Sequence, residues 1–104
     1  MPDALAVDAV DEISALALPA LLDLKAAAAL AAAFLDRRGA DIVVDAAEVQ
    51  RLGGQCLQIL LSAQASWAAD RFVFRIENAS PEFRAAAELF GAGSALFQYQ
   101  KELS

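Results

Sequence analysis

Two short, strongly apolar segments alternate along this chain with longer segments of helical periodicity. The apolar segments are Ile42–Val44 and Phe72–Ile76. Ile42–Val44 lacks the regular polar–apolar alternation of a half-exposed strand, so it predicts a strand buried on both faces, and Phe72–Ile76 predicts a further buried strand. Strands that alternate with helices are joined by right-handed crossovers. The sequence therefore predicts an α/β fold with a mixed, mostly parallel sheet of four to five strands flanked by three helices.

The three helices are predicted from their caps and from their apolar spacing. They are expected at about residues 24–38 after an Asp23 N-cap, at about 55–68, and from Ser80-Pro81 to Gly91 or Gly93. Their inward-facing stripes are expected to be Leu24, Ala27, Ala28, Ala31, Phe34 and Leu35; Leu57, Leu60, Leu61, Gln64 and Ala68; and Phe83, Ala86, Ala87 and Phe90.

Further strands are predicted towards the two ends of the chain. They lie at about Ala4–Val7, Ile13–Leu18 and Ala95–Tyr99. Residues 45–52 are expected to be a connection. The resulting order is β, β, α, β, α, β, α, β. We expect one domain over residues 1–104, because that length suits a single compact core.

The composition argues against most kinds of chemical site. The chain has 14 acidic and 8 basic residues, a net charge of −6, no histidine and a single cysteine, Cys56. An acidic chain without a basic run lacks the electrostatic footprint of a nucleic-acid-binding protein. The missing histidines remove the commonest general base and the commonest metal ligand. We therefore expect no cofactor, no metal and no enzymatic activity.

The apolar segments do not predict membrane insertion. Residues 1–12 carry acids where a signal peptide has basic residues. Ile13–Leu22 is too short to span a bilayer and contains Pro19. Alanine makes up 26 of the 104 residues, and the run Ala26–Ala33 is typical of an ordinary helix. A single unpaired thiol suits a reducing compartment, so a cytoplasmic location is expected.

The centre of the chain resembles a STAS domain, the fold shared by anti-sigma-factor antagonists and sulfate-transporter tails. The similar stretch, Ile42–Leu61, reads as an apolar strand ending in Asp45, a turn, and a helix that opens Leu57-Gln58. Asn78–Arg84 is similar to the family's last major helix, which starts Ser-Pro. Leu16–Ala33 is similar to its strand, Leu-Asp-Leu corner and first helix. The resemblance implies the same α/β fold and a non-enzymatic role.

The resemblance also implies where a partner binds. Family members carry a phosphorylatable serine in the turn after the third strand, and its modification controls binding. That serine falls on Gly54, the preceding family Asp on Gly53, the next Ser on Gln55 and the family Gly on Cys56. Glycine has no hydroxyl, so this chain is expected to bind without phosphorylation there. The predicted partner-binding residues are Arg51, Leu52, Gly53, Gly54, Gln55 and Cys56.

Several of these residues also have ordinary structural interpretations. Gly53-Gly54 suits a tight turn into a helix as well as a partner-binding turn. Cys56 lies in a first helical turn, where the dipole lowers a thiol pKa, yet it also suits a small buried position. Asp45 is expected to line the turn or to bond loop amides. Trp67 suits an interface anchor or a packing role.

The predicted function is a protein–protein interaction module in bacterial signalling. Chemotaxis or two-component signalling, with a histidine-kinase-like partner, is the first setting. The alternatives are the soluble subunit of a lipid-transport ABC system, bound to its ATPase, and an anti-sigma-factor antagonist. The missing serine argues against the last, because partner switching normally requires it.

Overall fold

The structure, a computed structural model, describes residues 13–92. The strands in this range are β1 Ile13–Ala17, β2 Leu21–Leu22, β3 Asp41–Asp45, β4 Arg51–Leu52 and β5 Phe74–Glu77. The helices are α1 Ala27–Asp36, α2 Gly54–Ala69 and α3 Pro81–Leu89. A 3-10 turn, Leu24–Ala26, leads into α1. The strands predicted at residues 4–7 and 95–99 lie outside the described residues.

The main sheet is parallel and has β3 in its centre. β1 and β5 flank β3, so that Leu16, Val44 and Ile76 lie side by side in one row. β2 and β4 form a second, separate parallel pair. The predicted α/β fold with three helices and a mostly parallel sheet is confirmed. The five described strands are divided between these two sheets.

One face of the main sheet carries the core. The buried strand residues on this face are Ile42, Val44, Phe74 and Ile76. On the other face Val43 is half-buried and Arg75 is exposed, where its guanidinium pairs with Glu77 at 3.1 Å. The expectation that Ile42–Val44 is buried on both faces is therefore wrong, and the exposed Arg75 interrupts the burial expected of Phe72–Ile76. Side chains alternate along a strand, and the helices described here cover only one side.

The helices bury part of each predicted stripe: Ala27 and Phe34, Leu57 and Leu60, and Phe83 and Ala87 are buried as expected. The buried residues are Ala27, Leu30 and Phe34 in α1; Cys56, Leu57, Leu60, Ala63 and Trp67 in α2; and Phe83 and Ala87 in α3. Leu24, Leu35 and Phe90, which were expected to face inwards, are exposed. Leu24 lies in the tighter 3-10 turn, whose three-residue period takes it off the α-helical stripe. The Asp23 cap is confirmed, because its Oδ1 accepts a hydrogen bond from the Ala26 N–H at 3.1 Å.

An aromatic cluster closes the core between α1, α2 and β5. The rings of Phe34, Trp67 and Phe74 lie with their centroids 5.8–6.1 Å apart. The indole Nε1–H of Trp67 donates to the Ala40 carbonyl at 2.7 Å, so its polar atom is satisfied inside the core. Large aromatic side chains supply the volume that the many alanines lack.

The small β2–β4 sheet was missed by the sequence analysis, which treated residues 45–52 as a connection. The Gln50 and Arg51 N–H groups both donate to the Ala20 carbonyl, at 2.8 and 3.1 Å. Two-residue strands are too short to show a periodic pattern, so only the tertiary fold reveals them. This pairing brings Leu22-Asp23 against the start of α2.

Candidate functional site

The turn into α2 is built by close packing of backbone on backbone. Gly53 is the N-cap, with extended φ −88° and ψ 167°. Its N–H donates to the Leu22 carbonyl at 2.8 Å, and its own carbonyl accepts from the Leu57 N–H at 3.0 Å. A Cβ on Gly53 would lie 3.3 Å from the Leu22 oxygen. Glycine is therefore favoured here by the close approach of β2 rather than by an unusual backbone conformation.

Gly54, the first residue of α2, has a different environment. It is exposed, and a Cβ built on it would lie 3.9 Å from Cε1 of Phe90, an ordinary contact distance. A small side chain would fit there without strain. The position on which the resemblance places the family serine therefore lacks a hydroxyl, although the structure has room for one.

Exposed apolar side chains flank this turn. Within residues 13–92, five large hydrophobic residues are exposed: Leu21, Leu24, Leu35, Leu89 and Phe90. Leu21 and Leu24 lie in the segment that packs on Gly53, and Phe90 follows α3 and lies beside Gly54. Three of the five thus lie around the turn. We call Leu21, Leu24, Arg51, Gly53, Gly54, Gln55 and Phe90 the glycine-turn surface.

The structure places the six predicted partner-binding residues unequally. Arg51, Gly54 and Gln55 are exposed, and Gly53 is half-buried. Leu52 and Cys56 are buried and contribute their side chains to the core. Arg51 pairs with Leu21 across the β2–β4 ladder, so both side chains extend from the same face.

Cys56 is a free, buried thiol. Its Sγ–H donates to the Asp23 carbonyl at 3.3 Å, and its side chain is fully buried. Burial raises the pKa of the Cys56 thiol, and the negative charge of Asp23 raises it further. The neutral thiol is therefore favoured, which supports the interpretation of Cys56 as a small core residue.

Trp67 and Asp45, the other two candidate site residues, have the structural roles of core packing and loop ordering. Trp67 is only 2% exposed and lies at the far end of α2 from the glycines. The Asp45 carboxylate accepts a hydrogen bond from the Ala47 N–H at 2.9 Å, so it orders the loop after β3. Neither side chain belongs to the glycine-turn surface.

Ser80 supports the site in a way that the sequence analysis missed. Its hydroxyl donates to the Val49 carbonyl at 2.6 Å and accepts from the Phe83 N–H at 3.0 Å. One side chain therefore caps α3 and fixes the loop that leads into Arg51. The Ser-Pro pattern predicted the cap alone, because a contact 31 residues away leaves no local signal.

No group of three or more Cys, Asp or Glu side chains in residues 13–92 is placed to hold a metal ion. Over the same range, every helix is too short or too polar to cross a membrane.

Comparison with known families agrees with the fold and with the resemblance. A family model described as "Mlab, STAS domain" matches residues 5–98. No curated protein and no solved structure matches the chain. The matched range covers most of the 104 residues and includes both flanks of the glycine turn. The chain therefore belongs to the STAS domain family.

Proposed function

We propose that this chain is a non-enzymatic subunit that binds a protein partner permanently through the glycine-turn surface. Membership of the STAS family supports a protein-interaction or signalling module in general terms. The observation that carries the finer proposal is the placement of three exposed apolar side chains, Leu21, Leu24 and Phe90, around a turn that has no hydroxyl at position 54.

Two properties of the surface support permanent binding. Exposed leucine and phenylalanine side chains suit the more hydrophobic interfaces of obligate complexes. Phosphorylation regulates binding by adding charge at a hydroxyl, and Gly54 cannot accept a phosphate. Binding through this surface therefore has no switch at the position where the family serine lies.

These properties favour the ATPase of a transport complex as the partner. A soluble subunit of a lipid-transport ABC system needs a stable interface and no switching cycle. A histidine-kinase-like partner in chemotaxis or two-component signalling is the second candidate, because the missing hydroxyl is equally compatible with a constitutive adaptor. Both partners place the chain in the cytosol, where the unpaired, buried Cys56 thiol is expected to persist.

Affinity capture tests the surface directly. Tagged wild type is compared with Gly54→Glu, which adds bulk and negative charge beside Phe90, and with Leu35→Glu, which adds the same charge at an exposed site on α1. We expect wild type and Leu35→Glu to retain the same ATPase or kinase, and Gly54→Glu to retain at least ten times less. Equal capture by all three would show that the glycine-turn surface is not the interface.

Phosphorylation is tested separately. The chain is incubated with the captured kinase, or with a candidate kinase, and ATP, and then analysed by mass spectrometry. We expect no phosphate on the chain. A phosphate on any serine, including Ser62 or Ser66 on α2, would contradict binding without a switch.

A further inference from the structure

The glycine-turn surface is assembled from two parts of the fold that are distant in sequence. One part is β4 with the start of α2, which carries Arg51 and Gly54, and the other is α3, whose C-cap is Phe90. α3 packs against β4, and Cε1 of Phe90 lies 3.9 Å from the position that a Cβ on Gly54 would occupy. The arrangement of the surface therefore depends on how α3 is fixed relative to the loop that precedes β4.

Ser80, the N-cap of α3, supplies a side-chain link between these two parts. Its hydroxyl donates to the Val49 carbonyl at 2.6 Å and accepts from the Phe83 N–H at 3.0 Å. Within residues 13–92, Ser80 is the one buried polar residue, at 7% exposure. A buried hydroxyl is costly unless it is hydrogen-bonded, and this one is bonded both as a donor and as an acceptor.

The two residues after Val49 connect this link to the turn. The Gln50 and Arg51 N–H groups donate to the Ala20 carbonyl at 2.8 and 3.1 Å, where the pairing of β4 with β2 begins. Without a donor at position 80, the buried Val49 carbonyl would lose the hydrogen bond that offsets its desolvation. The adjoining backbone of Gln50 and Arg51 would then be less firmly held against α3.

We infer that Ser80 is a positioning residue of the glycine-turn surface: by donating to Val49, its hydroxyl fixes β4 and the glycine turn against α3. The inference rests on the proposed function and deepens it, because it names a residue outside the surface on which binding depends. This role requires the hydroxyl as a donor, whereas capping of α3 requires only an acceptor or a permissive backbone. The two roles of Ser80 are therefore separable by substitution.

Three substitutions separate the donor from the cap. Ser80→Thr keeps a hydroxyl that can donate and accept. Ser80→Asp and Ser80→Gly both suit an N-cap, but an ionised carboxylate and a glycine have no side-chain donor. These two variants differ in charge and in size, so an effect that they share is due to the missing donor. Either variant suffices if the other fails to fold.

Amide hydrogen exchange of the chain alone is the first measurement. Rates are compared with that of the Leu60 N–H in the middle of α2. In Ser80→Asp and Ser80→Gly we expect the N–H groups of Arg51 and Gly53, which bond to the Ala20 and Leu22 carbonyls, to exchange about tenfold faster than in wild type.

The start of α3 provides the internal control for this measurement. The Arg84 N–H donates to the Ser80 carbonyl at 3.0 Å, and its exchange should stay within about twofold because the cap is retained. Ser80→Thr should match wild type at every amide. Equal acceleration of all amides, or none at Arg51 and Gly53, would show that Ser80 contributes only to overall stability and would overturn the inference.

Calorimetric titration of the partner captured by the wild type is the second measurement. We expect Ser80→Thr to bind within about twofold of wild type, and Ser80→Asp and Ser80→Gly to bind at least about tenfold more weakly at a temperature where thermal melts show them folded. Unchanged binding by both donor-free variants would overturn the positioning role and leave the proposed function intact. Failure of the wild type to bind any ATPase or kinase would overturn the proposed function, and the exchange pattern would then decide by itself whether Ser80 fixes the turn.

Discussion

The two ends of α2 differ sharply in what they bury. At the C-terminal end, Trp67 packs against Phe34 and Phe74, and its indole N–H is satisfied by Ala40. At the N-terminal end, Gly53 and Gly54 provide no side-chain cap, and the ring of Phe90 beside them is half-exposed. Trp67 lies 13 residues along the helix from Gly54, so these environments are separated by about 20 Å.

The difference shows where stability lies in this chain, and it bears on the proposed interface at the glycine turn. Complete burial of a large aromatic residue contributes to folding, whereas an exposed ring contributes mainly when a partner covers it. Removal of a buried side chain at the C-terminal end of α2 should therefore strongly change the free energy of unfolding. Removal of an exposed side chain beside the N-terminal end should change it little.

The largest expected effect is at the aromatic end. Trp67→Ala removes a 2% exposed ring and the hydrogen bond to Ala40, and we expect a loss of about 3–5 kcal/mol in the free energy of unfolding. Urea unfolding followed by circular dichroism measures it. A loss below about 1 kcal/mol would remove the contrast between the two ends. Phe90→Ala is the matched control, with an expected change below about 0.5 kcal/mol.

The two glycines should respond in opposite directions. Gly53→Ala places a Cβ 3.3 Å from the carbonyl of buried Leu22, which cannot easily move, and we expect a loss of about 1–2 kcal/mol. Gly54→Ala adds a helix-favouring residue with room for its Cβ, so we expect a gain of about 0.5–1 kcal/mol. Thermal melts of both variants test this, and equal shifts would show that the close approach of β2 does not matter.

A smaller effect is expected for the ion pair near the aromatic end. Arg38 Nη2 lies 2.7 Å from Asp70 Oδ2, and both side chains are more than one-third exposed. Solvent screening limits such a pair, so Arg38→Ala should cost about 0.2–1 kcal/mol. The cost should decrease further in about 1 M salt. A larger, salt-independent loss in denaturant titrations would indicate that Arg38 acts through packing instead.

The smallest effect at neutral pH concerns Cys56. Burial raises the thiol pKa in the folded chain above its ordinary value of 9.0, so the unfolded chain ionises first as the pH rises. Stability from the neutral thiol is therefore complete below pH 9 and declines above it. Cys56→Ser should lack this decline. Native Cys56 should also react slowly with a disulfide reagent at pH 7. Rapid labelling would contradict its interpretation as a core residue and would favour a redox or enzymatic role.

Much of the fold was readable from local patterns. Asp23 and Ser80 cap helices as predicted, and Gly91 ends α3. Apart from the short β2 and β4 strands, which were missed, the failures concern packing rather than element type. Leu35 and Phe90 have the right spacing for inward-facing positions, yet they lie outside the core because their helices are rotated by contacts distant in sequence. The pattern of a single helix does not specify that rotation when alanines provide several weak apolar faces.

For the candidate site too, some features follow from the sequence alone and others required the tertiary structure. The sequence alone determined the glycines, the absent hydroxyl at position 54 and the net charge of −6, since these are matters of residue identity. Only the tertiary structure decided that Leu52 and Cys56 are buried, that Leu21 lies opposite Arg51, and that Phe90 lies beside Gly54. The reason is physical. Exposure and adjacency depend on which strands and helices meet across the core, and residues 36 positions apart share no local pattern.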